Sequence, residues 1–283
     1  MLDIDIRPAG QGAAVVVMTR CTALLRALRG VGRRVVADIM KVRMAVKVVH
    51  GMTGGTGPAS DEVLADCGAG QSAGARGAYY LGDGLFSSDD SGKSWQAIAS
   101  TSGGNPLTFT TGWQLVWNVV VDQSAHDTAN EIYAAIYDQI QRSSNGGKTW
   151  VSQLSGGYFT DVAVTTKGIV YATSSSDGAK KGMFRADNDG KLVNINPSFL
   201  GTTYKRIVIG IDPNNENVVY FLLNTDGFGR KSANYRGDIE WNALYRYTYI
   251  AGDGSGDSGK WEDLSMNLPS GSAFDRWNVQ GSY

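Results

Sequence analysis

The stretch NTDGFGRKSANYRGDIEWNA, residues 224–243, crowds three carboxylates, Asp226, Asp238 and Glu240, among Arg230, Lys231, Tyr235, Arg236 and Trp241. A glycosidase needs two carboxyl groups about 5–10 Å apart across the scissile bond, so these three are the candidate catalytic acids. The rings beside them suit a sugar in a second way. Aromatic faces stack on its C–H surfaces, and charged groups hydrogen-bond its hydroxyls. Three other polar segments carry the same mixture: TSGGNPLTFTTGW with Trp113, NPSFLGTTYKR with Tyr204 and Arg206, and PSGSAFDRW with Arg276 and Trp277. Together with Arg230, Tyr235, Arg236 and Trp241 they form the candidate ligand-binding set. The plainer alternative is that these loops are solvated and their Trp and Tyr residues merely pin them down.

Other chemistries are thinly supplied. The two histidines, His50 and His126, suggest no Ser-His-Asp arrangement. The two cysteines, Cys21 and Cys67, make neither a disulfide framework nor a metal-ligand spacing. DGSGDSG at 253–259 has the look of a calcium loop, but its twelfth position would be Leu264 instead of Glu. No metal or cofactor is expected. Basic and acidic residues balance at 26 and 27, so no global field recruits nucleic acid or an anionic membrane. No apolar run is long enough to span a bilayer.

The elements that would hold these loops are legible from a repeated turn. SSDDSGKSW gives Ser88-x-Asp90-x-Gly92-x-Ser94-Trp95, and RSSNGGKTW gives Ser143-x-Asn145-x-Gly147-x-Thr149-Trp150. Two weaker copies follow: Asn188 and Gly190 in ADNDGKLV, with Val193 in place of Trp, and Ser255, Asp257, Gly259 and Trp261 in SGDSGKW. A strand pair precedes each copy, an apolar segment lies upstream in three of them, and a short segment follows. Four short strands per unit is the layout of a β-propeller blade, with the turn between the third and fourth strands. The expected fold is all-β, an incomplete ring of about four antiparallel blades. Ser and Asp or Asn side chains accept hydrogen bonds from turn N–H groups, Gly permits positive φ, and Trp buries a ring between neighbouring sheets. These residues are expected to be structural, so Asp90 is not a catalytic acid.

The turns resemble Asp-box, or BNR, repeats, and the chain is similar to the sialidase-like and sortilin-like (VPS10) propeller group. That group also holds xyloglucan-active glycoside hydrolases and a photosystem II assembly factor. GAYYLGDGLFSSDDSGKSW, NPLTFTTGWQLVW, IVIGIDPNNENVVY and FDRWNVQGSY resemble large secreted Bacteroidetes propellers that carry a type IX secretion sorting domain. The resemblance implies an extracellular or cell-surface location and covers residues 72–283. A sialidase would resemble its family in an arginine triad, a Tyr–Glu pair and an early Phe/Tyr-Arg-Ile-Pro motif. YKRIV at 204–208 lacks the proline and falls in the wrong blade, which argues against a sialidase.

No Phe, Trp or Tyr precedes Tyr79, and all 28 of the chain occur from that position onward. Residues 1–70 are therefore set apart from the blades, which are expected over 71–283. The stretch 21–49 reads as a basic amphipathic helix interrupted by Gly30 and Gly32, or as sequence foreign to the fold. No signal peptide is legible in the acidic opening MLDIDIRPAG. RWNVQGSY resembles the run into a further blade, so the chain is expected to be a fragment whose open ends self-associate.

Strand alternation sends the boxes to one face of the propeller. The turns between second and third strands, and the crossings between blades, go to the other. A ligand is expected on that second face. The favoured function is a non-catalytic, exported module that binds glycan or protein. The alternative is a piece of a carbohydrate-active hydrolase, closer to a xyloglucanase than to a sialidase.

Overall fold

The computed structural model describes residues 49–51, 62–66, 81–88, 94–104, 108–122, 124, 131–187, 190–233 and 239–268. Seventeen strands and three short 3-10 helices make up its regular structure. The first sheet holds β1 (Val49–Gly51), β2 (Glu62–Asp66), β3 (Leu85–Ser88) and β4 (Gln96–Ala97), in that order. The second holds β5 (Val116–Asp122), β6 (Glu131–Ile136), β7 (Gln139–Ser143) and β8 (Val151–Ser155). The third holds β9 (Thr160–Val164), β10 (Val170–Ser174), β11 (Gly182–Ala186) and β12 (Val193–Asn194). In the fourth, β13 (Tyr204–Ile211), β14 (Val218–Thr225) and β16 (Ile239–Tyr249) lie in sequence. The far edge of β16 is shared by β15 (Arg230–Ala233) and β17 (Gly259–Asp263).

All pairings are antiparallel, as short connections between consecutive strands require. β1 and β2 lie before residue 71, where the sequence reading opens the blades, and Leu64 joins the sheet opposite Ser87. The helix expected over 21–49 falls, but for Val49, outside the described residues.

Burial on both faces of the central strands explains why the sheets stack. In β10 Tyr171 faces one neighbour while Val170 and Ala172 face the other. In β6 Tyr133 and Ala135 enter the core between the second and third sheets, whereas Ile132, Ala134 and Ile136 enter the one between the first and second. A third core, around Tyr171, Met183, Phe221 and Tyr247, joins the third sheet to the fourth. The apolar interior is thus a set of layers between sheets, the packing of propeller blades. The molecule is an all-β propeller assembly of four-stranded antiparallel blades.

The first strands of successive blades stand side by side and are tied by one buried carboxylate. Asp161 of β9 accepts Asn118 Nδ2 of β5 at 2.7 Å and the Ile209 N–H of β13 at 3.0 Å. Burial pushes the Asp161 carboxyl up, against the opposing pull of the Arg206 charge and these hydrogen bonds.

Candidate functional site

Three connections meet on the face opposite the box turns: the 98–115 crossing into β5, the two-residue turn Tyr137–Asp138, and the 156–159 crossing into β9. They carry a run of rings that the sequence reading does not single out. Phe109 meets Tyr137 edge-on with centroids 5.2 Å apart, and Tyr137 meets Tyr158 edge-on at 4.6 Å. Tyr158 continues to Phe159 at 4.8 Å and to Trp117 at 6.3 Å. The Arg206 guanidinium lies over the Trp117 ring, 5.8 Å from its centroid. Phe109 is 45% exposed, Tyr137, Tyr158 and Phe159 are half-buried, and Trp117 is buried.

The strip is held by hydrogen bonds between connections. Tyr137 N donates to Leu115 O at 2.8 Å, and Gly156 N donates to Asp138 O at 2.7 Å. Trp117 Nε1 donates to Tyr158 O at 3.2 Å. Tyr158 N donates to the Asp177 carboxylate at 3.2 and 3.3 Å, and Ser175 Oγ holds that carboxylate at 2.5 Å. Asp138 has φ 57, making it the one described non-glycine residue with positive φ. Burial pushes its carboxyl up.

The described residues among those selected from sequence do not share one site. Trp113 lies ring to ring with Trp150 at 4.7 Å, and it is Phe109 of the same segment that joins the strip. Tyr204 is 3% exposed, and burial pushes its hydroxyl up to about 12. Arg206 reaches the strip, as just described. Within the 224–243 insertion, β15 and the start of β16 form a hairpin. Asp226 faces Lys205 of β13 with 3.5 Å between Oδ1 and Nζ, whereas Glu240 sits opposite Ser232 in the β15–β16 ladder. Lys231 lies over the half-buried Trp241 ring at 6.0 Å, and Arg230 is half-buried. Tyr235, Arg236, Asp238, Arg276, Trp277 and His126 lie outside the described residues.

The second box turn has a complete set of internal hydrogen bonds. Ser143 Oγ accepts Gly147 N at 2.8 Å, and Asn145 Oδ1 accepts Thr149 N at 2.9 Å. Gly146 and Gly147 take φ 66 and 84. Trp150 Nε1 donates to Ser100 Oγ of the preceding blade at 3.0 Å. Of the first box Ser88 is buried and Trp95 half-buried, while Asp90 and Gly92 lie outside the described residues, as does Asn188 of the third. Gly190 has φ 72.

The fourth turn closes in another register. Asp253 Oδ1 accepts Ser255 N at 2.9 Å, Asp257 lies in the 3-10 turn Gly256–Ser258, and Gly259 opens β17 at φ −139. The positive φ values fall on Gly252, Gly254 and Gly256, because this turn is longer than the second. Trp261 still packs, on Tyr247 at 4.9 Å.

Among the described residues no cluster of His, Cys, Asp and Glu is built to hold a metal, and no helix is long and apolar enough to cross a membrane. A crevice between the second and third blades, lined by Tyr133, Ile140, Val170 and Leu192, has no room for a water molecule. It offers no second site.

No protein-family model matches the chain, and no curated protein matches it. Solved structures do. One is a GH74 xyloglucanase from Xanthomonas campestris, 17% identical, with a TM-score of 0.46 over 72% of this chain. Another is an ancestral GH74 enzyme, 20% identical, with a TM-score of 0.46 over 78% of this chain. In each case this chain spans 28% of the solved chain's length.

Proposed function

We propose that this chain is a carbohydrate-binding propeller module that holds a linear glycan along Phe109, Tyr137 and Tyr158. The observation carrying this reading is the strip itself. Its exposed and half-buried rings follow one another at centroid steps of 5.2 and 4.6 Å, on loops that a rigid scaffold fixes and that the buried Trp117 backs. Half-buried rings present apolar faces to the C–H surfaces of a sugar and lose little conformational freedom on binding. The box turns, on the opposite face, act as construction, in keeping with their resemblance to Asp-box repeats. The resemblance to exported propellers supports work outside the cell.

Xyloglucan is the natural test ligand, being the substrate class named for one of the solved structures. Calorimetry with xyloglucan oligosaccharides is expected to give saturable binding. Phe109→Ala and Tyr137→Ala should each weaken it about tenfold, the loss of about 1.4 kcal/mol of stacking. No new reducing ends are expected. Their appearance would move the chain to the second reading, a glycoside hydrolase piece, and failure to bind any glycan would overturn both.

A further inference from the structure

Asp138 is placed where its side chain has no structural work. The turn Tyr137–Asp138 joins β6 to β7, with Ile136 paired to Gln139 on either side. Its second position requires a left-handed backbone, which Gly or Asn adopts more readily than Asp. The main chain is fully used, since the Asp138 carbonyl accepts Gly156 N at 2.7 Å. The carboxyl is not. Among the described residues no hydrogen bond or ion pair reaches it, and burial alone raises it. A strained, partly buried acid without a partner is costly to keep in a turn that other residues would close better.

Its place on the molecule gives the reason. Asp138 follows Tyr137, the middle ring of the strip, and is bonded through its carbonyl to the loop that carries Tyr158. The carboxylate of Asp177 accepts Tyr158 N. Two acids are thus tied to the 156–159 connection, Asp138 through its carbonyl and Asp177 through its carboxylate. Arg206, over the Trp117 ring, also acts on the buried carboxyl of Asp161.

We propose that Asp138 is the polar contact of the strip, accepting hydrogen bonds from the hydroxyls of a neutral saccharide stacked on Tyr137 and Tyr158 and repelling acidic sugars. The inference rests on the glycan-binding reading above. A carboxylate offers two oxygens to neighbouring hydroxyls, and a uronate brought to the same place meets like charge.

The test uses the whole chain with Asp138→Gly and Asp138→Asn, titrated with a neutral xyloglucan oligosaccharide and with a glucuronate-bearing oligosaccharide of the same length. The turn tolerates both replacements, so the melting temperature should hold or rise. Affinity for the neutral sugar should fall about tenfold in Asp138→Gly and less in Asp138→Asn. The preference for neutral over acidic sugar should narrow in both. Undiminished binding by Asp138→Gly, with Phe109→Ala and Tyr137→Ala impaired, would overturn this inference and leave the strip standing. A marked drop in melting temperature would also overturn it, because the carboxyl would then be holding the turn. A parent chain that binds no glycan would overturn the strip and, with it, the role of Asp138.

Discussion

Glu131 opens β6 with its carboxylate shared between Arg142 Nε, at 2.5 Å, and the Tyr133 hydroxyl. Burial alone would raise this carboxyl, but the two hydrogen bonds and the guanidinium charge outweigh it and hold it below the usual glutamate value. A carboxyl lowered in the folded state contributes stability that is complete above the unfolded pKa and is lost as pH falls through the folded one. Unfolding free energy measured by urea should therefore drop on acidification below about pH 4.5. Glu131→Gln should be less stable than the parent near neutrality, by about 1 kcal/mol, and should show a shallower acid decline. Equal pH profiles would remove Glu131 from the acid-sensitive set.

Arg142 also points beyond its own blade. It stands one residue before the end of β7, and an added Cβ on Gly190, in the third blade's turn, would come 3.0 Å from its Nη1. Arg185 holds the same register in β11. It reaches the fourth blade's turn through Asp253 O, at 3.3 Å, and the Tyr249 ring, at 4.0 Å. The second, third and fourth box turns are thus seats for the preceding blade. Within the fourth turn, Gly254 and Gly256 have φ 82 and 54, but only Gly254 is crowded, with a Cβ falling 2.3 Å from Tyr247 Oη and 3.0 Å from Arg185 Cδ. Gly256→Ala should cost about 1 kcal/mol of backbone strain. Gly254→Ala should cost about 3 kcal/mol or more, since the seat is displaced as well. Equal urea midpoints for the two would deny the seating role. The strands and the second turn were legible because period-two burial and Ser-x-Asn-x-Gly are local signals. The fourth turn's register was not, because Gly252, Gly254, Gly256 and Gly259 offer several closures and the choice is made by Tyr247 and Arg185 from elsewhere.

Across the whole molecule, Asp161 is the group on which three blades converge. Asp161→Ala would leave Ile209 N without its acceptor and Asn118 Nδ2 with Val162 O alone, and should lower stability by about 1–3 kcal/mol. Asp161→Asn, which retains one acceptor oxygen, should lose less, and a melting temperature unmoved by either variant would refute the tie. Its pH dependence is opposite to that of Glu131. A raised carboxyl contributes fully below the unfolded pKa and loses that contribution as pH rises through the folded value. The candidate site was harder to read at this scale. The expected face was chosen by strand alternation alone, but Phe109, Tyr137 and Tyr158 sit on three separate connections, and only the stacking of blades brings them together. Trp113, from the same segment as Phe109, is instead drawn to Trp150. The seats described above also have a direction. Ser100 meets Gly147, Arg142 meets Gly190 and Arg185 meets Asp253, so each blade is received by a turn made later in the chain. During synthesis, the second, third and fourth blades each leave the ribosome to find the neighbour they seat already present, so these blades can be added in the order in which they are translated.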